Sequence, residues 1–175
     1  MELIETVTVG SGGQSSIEFT SIAADWTDLL LVLSLRDLTS GSFGNGVDLR
    51  INGSTANISG IRLLGTGSSP SSSTQTYEAV VGTTNSPTST ASTFSSISIY
   101  FANYATSSSK SFSVDSVSEN NATGAYQSIH AGLYNSTATI TALELTPNGG
   151  LNLAEYSTAS LYGIASGSDG TTTVA

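Results

Sequence analysis

Apolar and polar residues alternate with period two along most of the chain. In LIETVTVG, Leu3, Glu5, Val7 and Val9 fall on one face, and Ile4, Thr6 and Thr8 on the other. Ile17 and Phe19 share a face in SSIEFTSI, and Val47, Leu49 and Ile51 alternate with Asp48, Arg50 and Asn52. Ile97, Ile99 and Phe101 alternate with Ser98 and Tyr100, and Phe112 and Val114 with Ser and Asp. In ATITALELT, Ile140, Ala142 and Glu144 oppose Leu143 and Leu145, and STASLYGIA closes the series. Each stretch has the length of a strand and is bounded by Gly, Asn, Pro or Ser clusters.

The segment DWTDLLLVLSLRD breaks the alternation with an apolar run from Leu29 to Leu35. As a helix it would be greasy on every side. As a strand it has a natural length, and the strand-rich surroundings favour that reading. The run predicts an interior strand covered on both faces. Residues 65–76 and 82–92, which carry Pro and almost no apolar side chain, read as mobile surface loops. The pattern as a whole predicts an all-β fold, an antiparallel β-sandwich of jelly-roll type with about ten to twelve short strands. No linker divides it. Residues 1–165 are read as a single sandwich domain and 166–175 as a flexible polar tail.

Composition narrows the function classes. Charged residues are 10 % of the chain, and Ser and Thr fill the polar positions instead. Four basic residues face thirteen acidic ones, for a net charge of −9. Phosphate neutralisation on nucleic acid and adhesion to an anionic membrane are both disfavoured by that balance. Cysteine is absent, so there is no disulfide framework or thiolate metal site. MELIETVTVG shows no basic region followed by an apolar one, so no cleaved secretory signal is expected. No apolar run approaches the ~20 residues of a membrane helix.

Candidate chemistry is sparse. His130 is the single histidine, no G-x-S-x-G elbow accompanies it, and it reads as a sheet-face residue. Asp25, Asp28, Asp37 and Asp48 crowd the first strong strands, but no calcium loop is present and they read as solvated acids. GSGG and GTGSSP lack a following Lys or helix and read as turns. The sequons at Asn52, Asn57, Asn121 and Asn135 are no more than chance supplies in so Ser- and Thr-rich a chain. We therefore assign no catalytic, cofactor-binding or metal-ligating residue and expect no enzyme. INGS places Asn52 and Gly53 at the two central positions of a tight turn.

Three segments in order, WTDLLLVLSLRD, GVDLRINGSTANISGIRLLGTG and ASLYGIA, resemble a family of small phage virion proteins encoded near structural and tail genes. Trp26, Thr27 and Asp28 match the start of the family's apolar strand, and Ser34 and Arg36 its end. Leu49, Asn52, Gly53, Arg62, Leu63, Gly65 and Gly67 match the hairpin, and Tyr162 and Gly163 the closing strand. Ile51 and Ser54 depart from the aromatic and acidic residues common there. The resemblance implies a virion structural protein, a capsid decoration (cement) protein that binds the major capsid protein or other virion components as a homotrimer. The alternative is a tail-fibre or receptor-binding component that recognises host-surface glycans. An adhesin of that kind is expected to carry a shaft or anchor beyond the sandwich, which favours the cement reading. Arg36, Arg50 and Arg62 lie near Asp28, Asp37 and Asp48 in sequence, and ion pairs among them would pin strand ends or a subunit interface.

Overall fold

The computed structural model describes residues 1–38, 45–76, 80–121 and 124–165. The expected tail, 166–175, lies outside the described residues. Twelve strands follow in chain order: β1 (Glu2–Thr8), β2 (Ile17–Phe19), β3 (Asp28–Leu35), β4 (Gly46–Ile51), β5 (Ile58–Gly65), β6 (Pro70–Thr76), β7 (Val80–Thr83), β8 (Ser95–Phe101), β9 (Lys110–Glu119), β10 (Ala125–Tyr134), β11 (Leu143–Pro147) and β12 (Thr158–Ile164). The described residues contain no helix. An eight-stranded sheet has the order β1-β12-β3-β8-β9-β10-β5-β6, and a four-stranded sheet the order β2-β11-β4-β7. Every strand ladder is antiparallel.

The alternating positions meet between the sheets. Phe19, Leu49, Ile51 and Leu145 from the short sheet pack with Leu31, Leu33, Ile97, Ile99, Phe101 and Leu161 from the long one in a single core. The apolar bar of the sequence is β3. Its pairing is interior, between β12 and β8. Its coverage is one-sided, which corrects the expectation. Leu29, Leu31, Leu33 and Leu35 are buried, whereas Leu30 is half-buried and Val32 is 40 % exposed. Hydrogen bonding to two neighbours and burial of two faces are separate conditions, and only one sheet lies across this one.

Three further expectations change. In β1 the register shifts between Leu3 and Glu5. The extra residue turns Ile4 and Val7 to the core and leaves Leu3 exposed, so the face read from strict alternation does not survive the bulge. Within 65–76, Pro70 to Thr76 is the strand β6, paired with β5 along its whole length. Within 82–92, Thr84, Asn85, Ser86 and Ser89 are buried. Asp37, read from the sequence as a solvated acid, is instead fully buried, and accepts hydrogen bonds from the Thr84 hydroxyl and from Asn45 Nδ2 at 2.9 Å. Asn85 donates to Thr93 Oγ1 at 2.7 Å and to the Glu119 carbonyl at 2.9 Å. A polar segment is interior here because its polar groups satisfy one another.

Arg36 and Asp28 pin strand ends, but through hydrogen bonds and not through the expected Arg–Asp ion pairs. Arg36 Nη1 donates to the Thr93 and Thr90 carbonyls at 2.8 and 3.1 Å. Asp28 accepts from the Tyr100 hydroxyl at 2.6 Å and from the Asn103 amide at 2.7 Å, and so ties the start of β3 to the end of β8. Among the described residues the ion pair is Arg50–Glu144, at 3.7 Å. The INGS turn is as expected. Asn52 and Gly53 have φ of 52° and 77°, and Ile51 and Ser54 exchange both backbone hydrogen bonds at 3.1 Å. Trp26 lies over Gly163, where an added Cβ would come within 2.3 Å of the indole. The opening and closing segments of the family resemblance thus meet at one packing contact.

Candidate functional site

The outward side of the long sheet is the most distinctive surface among the described residues. Cross-strand pairs share a face, so the register defines its rows. One row runs Leu30, Tyr100, Ser113, Ala131, Ile61 and Thr74. The next runs Val32, Ser98, Asp115, Ile129, Leu63 and Ser72. Ile61, Leu63 and Ile129 are 56 %, 52 % and 51 % exposed, and Leu133 and Val117 are also open. Small Ser and Ala side chains on β8, β9 and β10 sit lower than the flanking Tyr100 and Ile61. They leave a depression of about 560 Å³ lined by Ile61, Leu63, Ser98, Tyr100, Ser113, Asp115, Ile129 and Ala131. Exposed apolar patches on soluble proteins often mark interaction sites.

Its charge is one-sided. Asp115 is exposed in the middle of the second row, and Asp28 stands at one margin. No Lys or Arg lines the depression among the described residues, and Arg36, which follows Leu30, Val32 and Ser34 on the outward side, stands beyond the end of β3. Arg36 and Lys110 are bound by backbone carbonyls, Arg50 pairs with Glu144 on the other sheet, and Arg62 alternates with Ile61 and Leu63 towards the interior. The Asp28 carboxylate accepts the Tyr100 hydroxyl, and that bond, with burial and the negative charge itself, pushes the phenol up to about 12. Tyr100 is therefore a neutral ring held in place at neutral pH.

His130 lies beneath this face, on the inward side of β10, and is 9 % exposed. Its Nε2 is 2.9 Å from Ser128 Oγ, and the ring also bonds the backbone of Val80. Burial, and then the nearby Arg62 guanidinium, lower its pKa from 6.5 to about 4. The Ser–His contact joins two side chains on one strand face inside the protein, and Asp25, Asp28, Asp37 and Asp48 are not among its partners. Nor do three or more His, Asp or Glu side chains converge as a metal site among the described residues.

The histidine has a measurable consequence. The unfolded chain takes up a proton below pH 6.5, and the folded chain refuses it until about pH 4. Stability is thus unaffected by His130 above the upper value and falls through that window on acidification, by up to about 3 kcal/mol. Urea midpoints followed from neutral to acidic pH should fall less steeply for His130→Gln than for the native protein. Equal slopes would show that the ring is not held neutral.

Comparison with protein-family models, curated proteins and solved structures finds no match. The residues singled out by sequence motif, Trp26, Arg36, Asn52 and Gly163, serve the fold. The open face was missed because Ile61, Leu63 and Ile129 look like ordinary inward members of alternating strands. Sequence alone carries no signal of it, because alternation in β5 and β10 sets Arg62, Ser128 and His130 on one side and Ile61, Leu63 and Ile129 on the other, and predicts the reverse of the facing that the fold adopts.

Proposed function

We propose that the protein is a structural component of a virus particle, a decoration protein of jelly-roll type that docks on an assembled shell. Strand order supports the jelly roll. Eight strands pass between the sheets in nested pairs, with β1-β12-β3-β8 facing β2-β11-β4-β7. The hairpins β5–β6 and β9–β10 are insertions that lengthen one sheet beyond β8. The docking surface is the outer face of that extension. The observation that carries the reading is the depression in this face, which is apolar at Ile61, Leu63 and Ile129, acidic at Asp115, and lined by no Lys or Arg.

Charge complementarity selects the occupant. Two copies meeting through the depression would bury Asp115 against a lining with no Lys or Arg, which is costly. A shell protein that presents apolar side chains beside a Lys or Arg satisfies both parts of the face. Binding to the shell and not to its separate subunits stabilises the assembled state by mass action.

Empty shells from the virus whose genome carries this sequence should bind the purified protein at a fixed ratio to the shell subunit. Ile61→Ser, Leu63→Ser and Ile129→Ser combined should weaken that binding by about 100-fold or more, because each removes an apolar contact of roughly 1 kcal/mol or more. Asp115→Lys should weaken it and reduce its salt dependence. Failure to bind shells would overturn the reading, and binding to host cells or glycans in their absence would favour a receptor-binding component.

A further inference from the structure

The two edges of the long sheet differ, and the difference has a consequence. The β1 edge is protected. It carries exposed Glu2 and Glu5, and its ladder is interrupted by the bulge between Leu3 and Glu5. Charges and bulges of this kind stop another strand from adding. The β6 edge has neither. PSSSTQT is uncharged from Pro70 to Thr76 and pairs with β5 in seven consecutive steps without a register shift. The side chains from Pro70 to Ser73 and at Thr74 are exposed, and no described strand lies on the other side of β6. Proline, which lacks an amide donor, stands only at the first position, so the rest of the strand keeps its backbone donors.

We propose that this edge is a self-association site, where β6 pairs antiparallel with β6 of a second copy about a twofold axis and joins two eight-stranded sheets into one. A second copy fits because Ser and Thr side chains put neither bulk nor charge between the strands, and like faces like without repulsion. The register that pairs all seven residues sets Ser73 opposite Ser73 of the second copy, and Ser72 opposite its Thr74. Hydroxyl pairs across antiparallel strands are favourable. The contact is isologous and uses both β6 edges, so it closes at two copies. Growth from the far edge is blocked at β1. Edge-to-edge closure at three copies would need β6 to pair with β1, the protected edge. The inference does not depend on the virion reading, because it rests on the backbone edge of β6 and not on the depression, although Ser72 and Thr74 stand at the ends of the same outward rows.

Light scattering at about 100 µM, a concentration at which small interfaces are populated, should give twice the monomer mass of 17.8 kDa. Ser72→Lys with Thr74→Lys places like charges opposite each other across the twofold axis and should return the protein to a monomer. Ser72→Lys with Thr74→Glu places opposite charges there and should remain a dimer. These side chains are exposed, and circular dichroism matching the native spectrum checks that the fold survives. A native monomer, a native trimer, or a dimer that persists in the double-lysine variant would each overturn the proposal.

Discussion

Leu31→Ala and Leu33→Ala should each lower the free energy of unfolding by about 2–5 kcal/mol. Both side chains are essentially inaccessible, at 0 % and 1 % exposure, in the middle of β3 with β12 and β8 bonded on either side. Truncation removes transfer energy and leaves a cavity that paired neighbours cannot close. A single domain has only about 5–15 kcal/mol to lose, so either change could consume much of its margin. Val32→Ala lies between them in sequence and faces outward. It should cost less than about 1 kcal/mol, since a partly exposed side chain gives up little burial. Urea unfolding of the three variants tests which face of β3 is the core. Comparable losses at all three positions would mean that the outer face is covered in solution, and unchanged midpoints at Leu31 and Leu33 would remove β3 from the core.

Asn52→Ala should cost about 2–4 kcal/mol. The side chain does more than suit a turn. Its Oδ1 accepts from the Thr141 amide at 2.9 Å and the Ala142 amide at 3.0 Å, and its Nδ2 donates to the Thr139 carbonyl at 2.8 Å. It thereby clamps residues 139–142, which lead into β11, to the end of β4. Three such bonds contribute about 0.5–1.5 kcal/mol each. The backbone φ of 52° adds a cost for Ala that Asn and Gly escape. Asn52→Gly separates the two effects, because it keeps the conformation and loses the bonds. It should recover about 1 kcal/mol of the Ala loss and no more. Full recovery by Gly in thermal or urea unfolding would reduce Asn52 to a turn former.

Period-two alternation made β2, β4, β8 and the start of β9 readable from the chain, because facing a core requires apolar side chains at every second position. The Asn-Gly turn was equally readable, since positive φ at two successive residues admits few side chains. The bulge in β1 was not. A single added residue leaves composition untouched and reverses the face of what precedes it. Strand β6 carries no alternation, and its extended form comes from pairing with the preceding strand β5, which nothing in its own residues marks.

The sequence by itself determined the class of fold, the inward residues of most strands and the absence of any familiar catalytic motif, because these follow from local periodicity and residue chemistry. Only the tertiary structure decided what is covered. The four-stranded sheet shields one face of its longer partner, so Val32, Ile61, Leu63 and Ile129 stay open while Thr84, Asn85 and Asp37 are enclosed. Alternation tells which residues share a face. Whether that face meets water depends on what the rest of the chain lays across it.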